Sequence, residues 1–193
     1  TFYASIVFAI GWTIAYPGVP LPGLDLLSNF PLIGDIVKHW AERWAPGGIV
    51  SPELYNMFGA MHGTIMVFMG IVPLGFAAFG NYVMPLQIGA IDMAFPKLNA
   101  WSFWLFFIGG AFMMLSFFLP TGAAQTGWTN YSPLATTTSY IVKNTWLTGQ
   151  TWWLAAMVFV ISSSLLGSVN FITTLLNLRA RGLTFFRLPF FCW

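Results

Sequence analysis

The run Met61-His62-Gly63-Thr64 puts an imidazole inside a segment built to sit in lipid. Residues 54–91 contain no Lys, Arg, Asp or Glu, and 58–79 is almost wholly apolar. An ionisable side chain at membrane depth is costly without a partner and marks a functional site by default. Gly63 removes a side chain next to it, which would let a large flat ligand lie close to the helix. The competing reading is a neutral histidine hydrogen-bonded to a neighbouring helix.

A second set of polar residues recurs at helical spacing. Ser163, Gly167, Asn170, Thr174 and Asn177 follow one another at steps of three and four, which is one stripe of a helix. At 1.5 Å per residue the stripe covers ~21 Å. Small residues of this kind can serve close helix packing, with Ser and Thr bonding back to the backbone. Two carboxamides fit that use poorly, because each needs up to four hydrogen-bond partners, and a column of water would supply them. The stretch 80–99, expected to be the inner loop, adds Asn81, Asp92 and Asn99. Asp92 stands in an apolar run, Gly89-Ala90-Ile91-Asp92-Met93-Ala94-Phe95-Pro96, either as a loop residue or helix cap or as the collecting group of a proton path.

Membrane helices must position these groups. A mean hydropathy of +0.76, 58% hydrophobic residues and 6% charged residues exclude an ordinary water-soluble domain. The charge-free runs 54–91, 98–142 and 144–178 each exceed the ~20 residues that cross a bilayer core. The single Cys192 excludes an internal disulfide and a cysteine-based metal cluster, and a net charge of +2 gives no reason to expect a nucleic-acid partner. The fold expected is all-α, a polytopic transmembrane helical bundle with about four spans, and 1–193 reads as a single, partial membrane domain.

The first span, 2–16, is closed by Pro17 and gives only ~24 Å of helix, the tail of a longer one. A Pro- and Gly-rich connection, 18–52, follows. Within it 35–44 can form a short helix with Ile36, Trp40 and Trp44 on one face, suited to the headgroup layer. His39 belongs to its solvated surface. The second span is 54–79 with a kink at Pro73, and 80–99 is expected to be a loop. The third span is 100–119. A second loop, 120–149, carries Trp128, Tyr131, Lys143 and Trp146. The fourth span, 150–177, is followed by Arg179, Arg181 and Arg187, after which 188–193 begins a new apolar segment. Both ends therefore read as cut from a longer chain. The three arginines clustered at one helix end place the loop 80–99 on the cytoplasmic or matrix side. His62 then lies about two turns below the outer surface.

Five stretches together resemble subunit I of the haem–copper oxidases, the catalytic subunit family of cytochrome c oxidase. They are Phe58-Gly59-Ala60-Met61-His62-Gly63-Thr64-Ile65-Met66, Gly80-Asn81-Tyr82-Val83-Met84-Pro85-Leu86-Gln87-Ile88-Gly89, Asp92-Met93-Ala94-Phe95-Pro96-Lys97-Leu98-Asn99, Gly127-Trp128-Thr129-Asn130-Tyr131-Ser132-Pro133-Leu134 and Ser163-Ser164-Leu165-Leu166-Gly167-Ser168-Val169-Asn170-Phe171. The match is spread over residues 50–193 in the family's order and spacing. It implies helices I–IV and the start of helix V of a bundle of twelve or more.

The resemblance implies roles residue by residue. His62 matches the helix-II axial ligand of the low-spin haem, haem a. Asp92 matches the carboxylate at the entrance of the proton path called the D-channel. Asn81, Asn99 and Asn170 match its asparagines, and Ser163 and Ser164 its serines. Trp128 matches the tryptophan near the haem propionates and the electron-entry region, and Tyr131 is expected with it over the haem edge. The high-spin haem, copper B and their ligands would lie beyond Trp193, so this stretch alone is expected to be inactive. The implied activity is reduction of dioxygen to water with electrons from cytochrome c, coupled to proton pumping. Subunits II and III and the lipid bilayer are the implied partners, and the bacterial cytoplasmic membrane is preferred to the mitochondrial inner membrane. A quinol oxidase of the same family, or a non-catalytic scaffold or transporter segment, remain as alternatives. Two features depart from the family: Gly11 stands where an arginine commonly contacts the formyl group of haem a, and 153–161 lacks a histidine often found there.

Overall fold

The computed structural model describes residues 2–31, 34–132 and 148–193. Lys143, Trp146 and the motif residues Pro133 and Leu134 lie outside the described residues. Helices dominate: α1 (Phe2–Ala15), α2 (Leu24–Ser28), α3 (Gly34–Trp44), α4 (Pro52–Thr64), α5 (Phe79–Ile88), α6 (Pro96–Leu115) and α7 (Gly149–Asn177). Three helical stretches are long and apolar enough to cross a membrane: Pro52–Ile88, Pro96–Phe118 and Gly149–Asn177, of 37, 23 and 29 residues. With α1 as a shorter apolar helix, this is the all-α transmembrane architecture expected from the charge-free runs.

The second span starts where local chemistry starts it. Ser51 accepts a hydrogen bond from the Leu54 N–H at 3.2 Å, Pro52 occupies the first turn, and Glu53 sits near the positive helix end. Between α4 and α5 the helix widens into π turns at Ile65–Ile71 and Pro73–Ala78. Pro73 has no N–H to donate, and wide turns on both sides of it accommodate the interrupted ladder.

The region 80–99 is not a loop throughout. Gly80 to Ile88 is helical with Pro85 inside α5, and the chain stops only at Gly89, whose φ of 74° is the left-handed conformation glycine adopts readily. Pro96 opens α6 and leaves only 89–95 as a connection. Pro85 is therefore inside a helix, and Pro96 stands at a first helical position, where its missing N–H costs no helix bond.

The chain divides into two compact units. One comprises Thr1–Ile65 and Leu115–Trp153. In it α1 packs against α4 through Ile6 and Ala9, and a core gathers Trp44, Leu54, Met57, Phe58, Met61, Phe117 and Trp153. Gly122, at φ 69°, turns beneath Met57 and Trp44, and a Cβ there would collide with both. Trp40 stacks on Phe58 at 6.4 Å. The tryptophan end of α3 therefore turns toward this core, while Ile36 stays 60% exposed.

The other unit comprises Met66–Met114 and Leu154–Trp193. Here α6 lies tight on α7: a Cβ on Gly109 would sit 2.9 Å from Val160 and 3.0 Å from the Ala156 carbonyl oxygen. The end of α7 is tied to α5 by the Ala180 N–H donating to the Ile88 carbonyl at 2.9 Å. Arg179 donates back to the Leu175 carbonyl at 2.7 Å, where a cation favours a helix C-terminus. Large apolar side chains such as Phe76, Trp101, Phe103, Ile161 and Leu165 are exposed, as suits contact with lipid or other helices.

Candidate functional site

His62 sits on α4 as a half-buried residue. Its Nδ1 is 2.8 Å from the Tyr3 hydroxyl, and the two rings are nearly parallel with centroids 5.4 Å apart. Among the described residues Nε2 has no hydrogen-bond partner. Gly59, three residues before His62, lies on the same side of the helix, and Gly63 is the next residue, about a quarter-turn round. A Cβ on either would meet no atom within 4 Å. One ring nitrogen is thus engaged and the other is available, beside helix surface without side chains. A planar group could approach there and take the free nitrogen as a ligand. The helix-bonding alternative is also realised in part, since Tyr3 belongs to α1.

The polar stripe of α7 has a different character. Ser163, Asn170 and Thr174 are buried, as the spacing implies, whereas Asn177 at the end of the stripe is exposed. Ser163 donates from Oγ to the Ser102 carbonyl at 2.7 Å, and Ser102 returns a bond to the Ser163 carbonyl at 3.0 Å. Asn170 Oδ1 accepts from the Phe95 N–H at 2.8 Å. Thr174 Oγ1 accepts from the Ala94 N–H at 2.9 Å and donates to the Asn170 carbonyl at 2.6 Å. Two side chains of one helix thus hold the connection that carries Asp92.

Asp92 is exposed, and its Oδ1 accepts from the Met93 N–H at 2.7 Å. The polar capacity of the stripe is not exhausted. Asn170 is fully buried, yet its Nδ2 has no partner among the described residues, and neither does the buried Oδ1 of Asn81. Asn81 uses its Nδ2 on the Ala77 carbonyl one turn back. Buried donors and acceptors in this state cost about 1–3 kcal/mol each unless water meets them. Asn99 is half-buried on the first turn of α6. Ser164, next to the stripe, is exposed.

Trp128 and Tyr131 are both exposed, at 57% and 74%. The segment between them is held by Gln150, which donates to Asn130 Oδ1 at 2.9 Å and accepts from Thr126 at 3.2 Å. Asn130 itself has φ 54°, a left-handed conformation uncommon outside glycine. No hydrogen bond or ring contact joins His62 to Trp128 or Tyr131 among the described residues. The structure therefore joins Tyr3 to His62, and Asn170 and Thr174 to the connection bearing Asp92, and leaves the two aromatics to a separate loop. The sequence pattern missed Tyr3, which lies 59 positions from His62 and gives no periodic signal. It also missed Ser102, although a serine in an otherwise apolar helix facing the Ser163 stripe is a readable sign of pairing.

The family model described as cytochrome C and quinol oxidase polypeptide I matches residues 2–193. A cytochrome c oxidase subunit 1 from Thermostichus vulcanus is 46% identical over 149 residues, covering 77% of this chain and 25% of the relative. A probable cytochrome c oxidase subunit 1-alpha from Streptomyces coelicolor is 46% identical over 189 residues, covering 95% of this chain and 32% of the relative. A third relative, cytochrome c oxidase subunit 1 of Synechocystis, is 46% identical over 144 residues, covering 75% of this chain and 24% of its own length. The chain spans about a quarter to a third of the length of these relatives.

Proposed function

The chain belongs to the cytochrome c and quinol oxidase polypeptide I family, and from that premise we propose that it serves as part of the catalytic subunit of a respiratory terminal oxidase. That enzyme reduces dioxygen to water and couples the reaction to proton pumping, with cytochrome c, which its relatives are named for oxidising, as the electron donor. In this reading 1–193 is one membrane domain of a bacterial cytoplasmic-membrane complex with subunits II and III.

The observation that carries the proposal is the state of His62: Nδ1 held at 2.8 Å by Tyr3, Nε2 without a partner among the described residues, and two glycines close to it in the helix, Gly59 and Gly63, with open space before them. These residues fit a low-spin haem. A neutral imidazole offers one nitrogen to iron, and the missing side chains admit a flat macrocycle. Haem, when bound, supplies a one-electron centre. The high-spin haem and copper of the family have their ligands outside 1–193. Gly11 on α1, with no atom within 4 Å of a Cβ, offers no cation to a formyl group, so haem a would be held here without that contact.

Asp92 gathers protons at an exposed carboxylate. Asn81, Asn99 and Asn170 order water beyond it, since amides donate and accept without binding a proton themselves. Ser163 and Ser164 continue the path with hydroxyls. The orphaned Nδ2 of Asn170 and Oδ1 of Asn81 support the presence of that water. Trp128, with an indole N–H donor, and Tyr131 would help hold the haem at its propionate edge and stabilise the charge there.

The test is His62→Ala in the full oxidase. The low-spin haem absorption should disappear while the complex still assembles, and an assembled variant with an unchanged spectrum would refute the ligand role.

A further inference from the structure

A histidine that gives Nε2 to a metal must keep its proton on Nδ1 if it is to stay neutral, and whatever accepts that proton fixes the ring and tunes its basicity. Among the described residues the group that meets Nδ1 is Tyr3, through a contact between helices far apart in the chain. Tyr3 is half-buried and shares a face of α1 with Ile6 and Ala9, which are 1% and 5% exposed. Its placement is therefore set by the packing of α1 on α4 rather than by a mobile side chain. The near-parallel rings, 9° apart, restrict rotation of the imidazole about its bond to the backbone.

We propose that Tyr3 is the positioning residue of the low-spin haem ligand: its hydroxyl oxygen accepts the Nδ1–H of His62, fixes the tautomer with Nε2 toward the iron, and lowers the reduction potential of that haem. The sign follows from the hydrogen bond. An acceptor on Nδ1–H gives the imidazole some imidazolate character, which makes it a stronger donor to iron and favours the ferric state. The inference rests on the reading of His62 as an axial ligand, and α1 thereby gains a role beyond packing.

The experiment uses the whole assembled oxidase with Tyr3→Phe, which keeps the ring and its stacking and removes only the hydroxyl. Haem content should match the parent enzyme, the midpoint potential of the low-spin haem should shift upward, and the g values of its ferric electron-spin resonance should move as the imidazole plane is released. Unchanged potential and g values in a fully loaded Tyr3→Phe enzyme would overturn the proposal and leave Tyr3 as packing. If Tyr3→Phe fails to assemble, 3-fluorotyrosine at position 3 keeps the shape and weakens the acceptor. A smaller upward shift then supports the role, and no shift refutes it. Failure of the ligand reading itself is distinguishable, because His62→Ala would then retain the low-spin haem whatever the behaviour of Tyr3.

Discussion

Glycine means one thing beside His62 and another between α6 and α7. At Gly109 a Cβ would press within 2.9 Å of Val160, so the missing side chain lets two helices approach closely. At Gly59 and Gly63 a Cβ would meet nothing within 4 Å. Among the described residues these glycines serve no helix contact, and they lie close to an imidazole whose Nε2 has no partner there. Polar groups divide in the same way. Ser163 and Thr174 find their partners within the chain, whereas Nε2 of His62 has none among the described residues. Small and polar residues in a membrane helix thus build either the protein's own interfaces or a place for a group that the chain does not contain, and the neighbours of each residue tell which.

Loading that place with protein is the strongest way to break the contrast. Gly63→Leu should leave the helices folded, since the space is open, and should abolish low-spin haem binding, read from haem content and absorption. Normal haem content in Gly63→Leu would show that the open face has no role in the site. Asp92→Asn comes next: turnover should fall severalfold and pumping should stop, with haem spectra intact, measured by oxygen uptake and by proton release from reconstituted vesicles. Full pumping in that variant would leave the stripe as packing alone.

Gly109→Val sharpens the other side of the comparison. Overpacking between α6 and α7 should cost about 1–3 kcal/mol, seen as a lower thermal midpoint and assembly yield, with the spectrum of the surviving enzyme unchanged. Thr174→Val leaves the Ala94 N–H without its acceptor at a cost of about 1–2 kcal/mol, and should raise amide exchange over 92–95 more than elsewhere. The smallest effect is expected for Trp128→Phe. Loss of one indole hydrogen bond, worth about 0.5–1.5 kcal/mol, should slow electron input by less than about tenfold.

Much of this division was legible in the sequence, and the part that was not has a physical cause. The four apolar segments, the start of α7 and the inward face of Ser163, Asn170 and Thr174 follow from charge-free length and from spacing of three and four. The extent of α5 does not, because Pro85 and Gly80 read locally as breakers, while its end is set by the left-handed turn at Gly89. Nor does spacing reveal that Asn170 spends its oxygen on the Phe95 N–H, a contact between residues 75 positions apart. Periodicity reports which face is buried and is silent on what that face meets. For the same reason His62 could be marked as unusual from its surroundings, while Tyr3 became visible only once α1 was packed on α4.

The most direct measurement is the haem-to-protein ratio of the purified oxidase in two parallel variants, His62→Ala and Asp92→Asn. His62→Ala should lose the low-spin haem while Asp92→Asn keeps the full complement of the parent enzyme. Retention of the low-spin haem by an assembled His62→Ala enzyme would contradict the ligand role of His62.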